Sequence, residues 1–117
     1  RDLTGVRDFT DVRDIARAYV LASQCCLPGE VYNVCSGRGI TIKQIYDILL
    51  SLTFVKDIQL IPDPEGPRPT DGGVIVGDNT RFCLQTGWYS QISFLDETLP
   101  DILNFWREHL RHKTTTL

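Results

Sequence analysis

Two arginines and one aspartate carry the sharpest chemistry in this 117-residue sequence. Arg68 stands between two prolines in the run Gly66-Pro67-Arg68-Pro69-Thr70-Asp71-Gly72-Gly73, and the Asp71 carboxylate follows three positions on. A planar guanidinium presents parallel N–H donors that match two phosphate oxygens, and a carboxylate accepts from both hydroxyls of a ribose. The pair therefore suits a nucleotide diphosphate, while a solvated Pro/Gly/Asp surface loop is the plainer alternative. Arg7 opens a second cluster, Arg7-Asp8-Phe9-Thr10-Asp11-Val12-Arg13-Asp14. There Arg7 faces a phosphate while Asp11 caps a helix, or the run is no more than a cap with exposed ion pairs worth under about 1 kcal/mol each.

Other candidates are weaker. Ser36-Gly37-Arg38-Gly39 is a glycine-rich turn of the kind whose backbone N–H groups cradle phosphate, but Ile42 stands where a dinucleotide fingerprint needs its third glycine. A structural turn is the plainer reading. His109 and His112 lie among Arg107, Arg111 and Lys113, with no acid or cysteine beside them at a ligand spacing, so no metal site is expected. They read as a solvated helix end whose cations sit near the negative pole of the helix dipole. Cys25, Cys26, Cys35 and Cys83 show neither zinc-site spacing nor a disulfide framework, and are expected as reduced, mostly buried thiols of a cytoplasmic protein. Trp88 and Trp106 are expected in the core or at a domain contact.

The elements that must hold these groups alternate between strand and helix. Residues 7–10 form a short strand candidate, and Asp11 then caps a helix over 12–24, with Val12, Ile15, Ala16, Tyr19 and Val20 on its buried face. Pro28-Gly29 turns the chain into a strand over 31–35, rich in β-branched and aromatic residues. Thr41 and Gln44 form a capping-box pattern for a helix carrying Ile42, Ile45, Leu49 and Leu52, and Ile58–Ile61 reads as another strand. Pro62, Pro64, Pro67 and Pro69 then exclude regular structure and predict a stiff, exposed loop. Val74–Val76 is a strand, Asp78 caps a short helix and Gly87 is its left-handed end. Ser93 opens the last helix, whose apolar face holds Leu95, Leu99, Ile102, Leu103, Trp106 and Leu110. Pro100 lies inside that pattern and predicts a kink or a later start, and residues 112–117 read as a frayed tail.

Composition excludes several functions. A formal charge of −3 leaves no basic stripe for nucleic acid, and no apolar run reaches the roughly 18 residues of a membrane span. With no methionine and Arg1-Asp2-Leu3 at its start, the sequence reads as a piece of a longer chain. Its helices also carry apolar faces larger than so small a sheet covers, which implies docking on something else.

In order and spacing, Arg7–Asp14, Gly29–Gly37, Arg68–Asp71, Val76-Gly77-Asp78, Thr86-Gly87-Trp88 and Phe105-Trp106-Arg107 resemble the C-terminal part of the extended short-chain dehydrogenases/reductases. Within that NAD-dependent epimerase/dehydratase family they look most like the GDP-4-keto-6-deoxy-mannose reductases and GDP-mannose 4,6-dehydratases. The resemblance covers nearly the whole chain and implies an α/β class: a small substrate lobe plus the last strand-helix pieces of a doubly wound Rossmann-type sheet. It implies that residues 1–117 form a single substrate-binding portion, with the N-terminal dinucleotide-binding domain lying elsewhere. Arg7 and Arg68 match the arginines expected at the diphosphate of a GDP-sugar, and Asp71 matches the acid expected at the ribose. Family catalysis resembles hydride transfer from NAD or NADP with a tyrosine and a lysine four residues apart, whereas Tyr19, Tyr32, Tyr46 and Tyr89 have no such lysine. No catalytic or cofactor-binding residue is therefore expected in this chain. The pattern after Arg7 favours the reductases, and Gly72-Gly73 departs from the usual Val-Pro after the acid. A homodimer is a further implication of the resemblance.

Overall fold

The computed structural model of the chain describes residues 3–61 and 73–114. The element order is β1 (Val6–Asp8), α1 (Val12–Cys25), β2 (Gly39–Thr41), α2 (Ile42–Leu52), β3 (Val74–Ile75), α3 (Thr80–Thr86), a π-helical turn (Phe94–Thr98) and α4 (Leu99–Thr114). The sheet runs β2-β1-β3, with β1 antiparallel to β2 and parallel to β3. Arg7 lies opposite Ile40 on one side and Ile75 on the other, so it occupies the middle of the central strand. Side chains alternate along a strand, which sends Arg7 to one face of the sheet and its neighbours Val6 and Asp8 to the other.

Local signals explain most boundaries. Asp11 caps α1 by accepting from the Arg13 N–H at 2.8 Å. Thr41 and Gln44 close a reciprocal capping box at the start of α2. Gly87 ends α3 at φ 70°, where a side chain would be strained. Ser93 caps the π-helical turn, and α4 begins at Leu99 with Pro100 as its second residue. A proline is tolerated there because the first turn of a helix has no N–H partners to lose. Of the kink or later start that Pro100 predicts, the later start is realised, after a wide turn.

The core is small: Ala18, Phe82 and Trp88 are buried together, with Leu21, Ala22, Tyr32 and Val34 packed around them. Phe82 meets Trp88 edge-to-face at 5.7 Å, and Trp88 Nε1 donates to the Asp14 carbonyl at 3.0 Å, so the buried indole leaves no polar atom unpaired.

Several expectations change. The strand expected over 31–35 joins no ladder among the described residues; its Val31 and Cys35 carbonyls accept from the side chains of Arg81 and Asn79 instead, and Val31 is exposed. Residues 58–61 likewise form no strand and lie exposed. The apolar stripe predicted to be the inner face of α1 is largely outer: Val12 and Tyr19 are each 75% exposed and Val20 57%. The face turned inward toward α3 carries Asp14, Ala18, Leu21 and Ala22 instead. On α4, Ile102, Trp106 and Leu110 are exposed while Leu99 is buried. Helix α4 runs through Thr114, so the first residues of the expected frayed tail are helical. The N-cap position of α3 is Asn79, one residue after Asp78, though the Asp78 carboxylate does accept from the Thr80 N–H. The proline loop, with Arg68 and Asp71, lies outside the described residues.

Candidate functional site

Arg7 is held at the seam between β1 and β3. Its Nη1 donates to the Val6 carbonyl at 2.8 Å and to the Gly73 carbonyl at 3.1 Å, and the same Gly73 oxygen accepts from the Val6 N–H at 2.9 Å. Gly73 adopts φ 88°, a conformation that glycine alone enters without strain, as the chain returns to the sheet. It follows directly on the segment that carries Arg68 and Asp71. The guanidinium is thus brought to the point where that segment re-enters the fold.

Asp8, on the opposite face, is an anion already saturated from within. Its carboxylate accepts from the Ser36 N–H at 3.0 Å, the Ser36 hydroxyl, the Gly37 N–H at 2.9 Å and the Gly77 N–H at 3.2 Å. The backbone donors that a phosphate would need at Ser36 and Gly37 are taken by Asp8, so the Ser36–Gly39 turn is structural. Within it Gly37 takes up φ 73° and Gly39 serves close packing, since a Cβ there would come within 2.5 Å of Val6 Cγ1; outside it, a Cβ on Gly77 would collide with Cys35 Sγ. Burial, reinforced by the nearby Asp8 charge, pushes the Cys35 thiol up from its ordinary range and keeps it protonated at neutral pH. All four cysteines are free and half-buried.

The two aspartates of α1 also depart from the plain reading of exposed ion pairs. Asp11 and Asp14 are each only 2% exposed. Asp11 accepts from Arg13 Nε and Nη2 and, at 2.6 Å, from the Thr98 hydroxyl, and Arg13 also pairs with Asp101. The Arg13 hydrogen bonds, aided by Thr98, hold the Asp11 carboxyl well below the usual carboxylate range despite its burial. The same partnership raises the Arg13 guanidinium. Asp14 gathers Ser90 Oγ, the Gln91 and Ile92 N–H groups and Arg17 Nη2. Adjacent-residue spacing hinted at the cap, but nothing in the sequence marked the distant donors.

Three of the hollows among the described residues border this frame. A polar cleft of about 270 Å³ lies between the 36–40 turn and residues 90–95, with the stacked Phe9 and Phe94 rings, 4.7 Å apart, in its wall. An apolar groove of about 460 Å³ runs between α1 and the 30–34 segment, lined by Ile15, Tyr19, Ala22, Tyr32 and Val34. A third, of about 500 Å³, opens between the start of α1 and the exposed Phe105 and Trp106. No cluster of metal-ligating side chains occurs among the described residues, and His109 packs against the rings of Phe105 and Trp106. No helix among the described residues is long and apolar enough to cross a membrane.

No family model matches the chain. Over 112 residues it is 30% identical to a GDP-6-deoxy-D-mannose reductase of Pseudomonas aeruginosa, covering 96% of this chain and 36% of the relative. The structure of RMD from the same organism, complexed with NADPH, superposes with a TM-score of 0.81 over 92% of this chain and 35% of that one. Over nearly its whole length the chain is similar to the C-terminal portion of extended short-chain dehydrogenases/reductases. Other relatives agree: a UDP-glucose 4-epimerase of Thermotoga maritima, solved with UDP-glucose, gives a TM-score of 0.79 at 28% identity, over 94% of this chain and 34% of that one. A probable UDP-arabinose 4-epimerase of Oryza sativa is 31% identical over 94% of this chain and 27% of the relative. The chain spans about a third of the length of these short-chain dehydrogenase/reductase relatives. The match falls on the C-terminal portion of their fold, as the order of its motifs implied.

Proposed function

We propose that this chain is the nucleotide-sugar-binding portion of an NAD(P)-dependent oxidoreductase that reduces the 4-keto group of a GDP-linked 6-deoxyhexose. The observation that carries the reading is the place of Arg7, at the centre of the sheet and hydrogen-bonded to the Gly73 carbonyl where the Arg68 and Asp71 segment rejoins it. Arg7 and Arg68 grip the pyrophosphate from two sides and Asp71 accepts from the ribose hydroxyls; the parts of Arg68 and Asp71, outside the described residues, rest on their order in the sequence. A diphosphate carries about two charges, which two guanidinium forks match in number and geometry. The likeness to a GDP-6-deoxy-D-mannose reductase supports the guanine nucleotide and the reductive direction.

A nicotinamide cofactor does not fit the described residues. The Ser36–Gly39 turn spends its N–H groups on Asp8, and no tyrosine precedes a lysine by four positions. Hydride transfer is assigned to a cytoplasmic partner portion of the same enzyme, a dinucleotide-binding domain, and no step of it is derived from this chain. The outward apolar stripe of α1, the groove beside it and the 31–35 segment, which joins no ladder among the described residues, form the surface that would dock on that domain and continue its sheet.

The Thermotoga maritima epimerase with UDP-glucose favours a second reading, a 4-epimerase or dehydratase portion acting on another nucleotide sugar. Calorimetric titration with GDP and with UDP separates the two. We expect tighter binding of GDP, weakened about tenfold or more in Arg7→Ala and again in Arg68→Ala, the loss of one charge-assisted contact each. Preference for UDP turns the assignment to the epimerases, and a dissociation constant unmoved by Arg7→Ala removes Arg7 from the site.

A further inference from the structure

We infer that Asp8 is a positioning residue for the diphosphate, acting through Arg7; the inference rests on the placement of Arg7 proposed above. The ladder between β1 and β3 consists of two residue pairs, Val6 with Val74 and Arg7 with Ile75. So short a parallel pairing has little capacity to fix its own register, because slanted bonds over two residues leave both ends unconstrained. The structure pins it at each end instead. At the leading end the Gly73 carbonyl takes the Val6 N–H and Arg7 Nη1. At the trailing end the Gly77 N–H, just beyond β3, donates to Asp8. The same carboxylate holds the Ser36–Gly37 turn that leads into β2. One side chain therefore locks both neighbours of the strand that presents Arg7, and Gly77 can approach only because it lacks a Cβ, which would collide with Cys35.

Charge makes the two possible roles of Asp8 distinguishable. A carboxylate one residue from a phosphate-binding guanidinium repels an incoming diphosphate, so on electrostatics alone Asp8→Asn strengthens binding. A residue that only supports the fold lowers the melting temperature when neutralised, and leaves the affinity of the surviving folded chain equal or higher. A positioning residue does the opposite: with fewer of its four donors held, the β1–β3 register loosens, the Arg7 fork leaves its productive geometry, and affinity falls.

The experiment is calorimetric titration of the chain with GDP for the wild type, Asp8→Asn, Ser36→Ala and Arg7→Ala, at a temperature where circular dichroism shows each folded. We expect Asp8→Asn to weaken GDP about tenfold, approaching Arg7→Ala, and Ser36→Ala, which removes one donor and keeps the charge, to weaken it by a smaller factor. Unchanged or tighter binding by folded Asp8→Asn overturns the inference. Should Asp8→Asn fail to fold, Ser36→Ala decides alone, and an unmoved dissociation constant there is equally fatal. Unaltered affinity in Arg7→Ala brings down the diphosphate reading itself, and this inference with it, whereas a loss confined to Arg7→Ala leaves that reading standing without Asp8.

Discussion

Asp8, Asp11 and Asp14 stand three residues apart, and each collects donors from a different part of the chain: Asp8 from residues 36–37 and 77, Asp11 from Arg13 and Thr98, Asp14 from 90–92. Their separations of 28 to 87 positions explain why the sequence exposed the charges but not their work, since a carboxylate reads alike whether water or a remote N–H satisfies it. Only the Asp11 cap, two residues from its donor, was legible. Asp11 also gives a pH prediction whose sign follows from its lowered folded-state pKa. A carboxyl held below its unfolded value of about 3.9 contributes stability that is fully present above that value and is lost as pH falls through and below it. Melting curves of wild type and Asp11→Asn should therefore differ by a constant gap above about pH 5 and converge as the pH drops below about 4. A gap that stays the same down to pH 2 would mean that the Asp11 charge adds nothing beyond what a neutral cap supplies.

Elements defined by their own residues were readable in advance, and elements that need a partner were not. The capping box at Thr41, the left-handed Gly87 and the consequence of Pro100 all depend on neighbours within a few positions, and each appears as the residues dictate. The 31–35 segment has strand composition, but a strand exists only where another edge supplies its hydrogen bonds, and no described strand pairs with it. Gly77 shows the same dependence at the exit from β3, because its need for glycine arises from Cys35, 42 positions away in sequence. Gly77→Ala should cost about 1–3 kcal/mol in denaturant unfolding, the usual range for overpacking a close contact. In a Cys35→Ala background the nearest clashing atom is gone, so the cost should shrink in a double-mutant cycle. An equal cost in both backgrounds would place the constraint on the backbone at Gly77 or on the Cβ of residue 35, and not on the Cys35 sulfur.

At the scale of the molecule, surface is in excess. The chain exposes 8806 Å², against about 6,500 Å² for a compact monomer of its mass. Its radius of gyration is 17.9 Å, where about 13 Å is typical of 117 residues, and it is only 22 Å thick along its shortest axis. A surplus of some 2,000 Å² is the scale of a substantial permanent interface, and the apolar side chains outside the core show which faces supply it. Helical periodicity marked a stripe on α1 as buried that the chain leaves exposed, because the hydrophobic pattern of a helix does not say against which body the face packs. Val20, 57% exposed on that stripe, tests the point. Val20→Asp should leave the chain's own unfolding free energy within about 0.5 kcal/mol, as surface changes do, while lowering the fluorescence of a hydrophobic dye bound to the chain. A dinucleotide-binding domain from a full-length relative, added in trans, should raise the melting temperature of the wild-type chain and not that of Val20→Asp. Collapse of stability in the variant alone would show instead that the face closes onto the chain itself, and the docking surface would have to be sought on the aromatic side of α4, where Phe105 and Trp106 remain exposed.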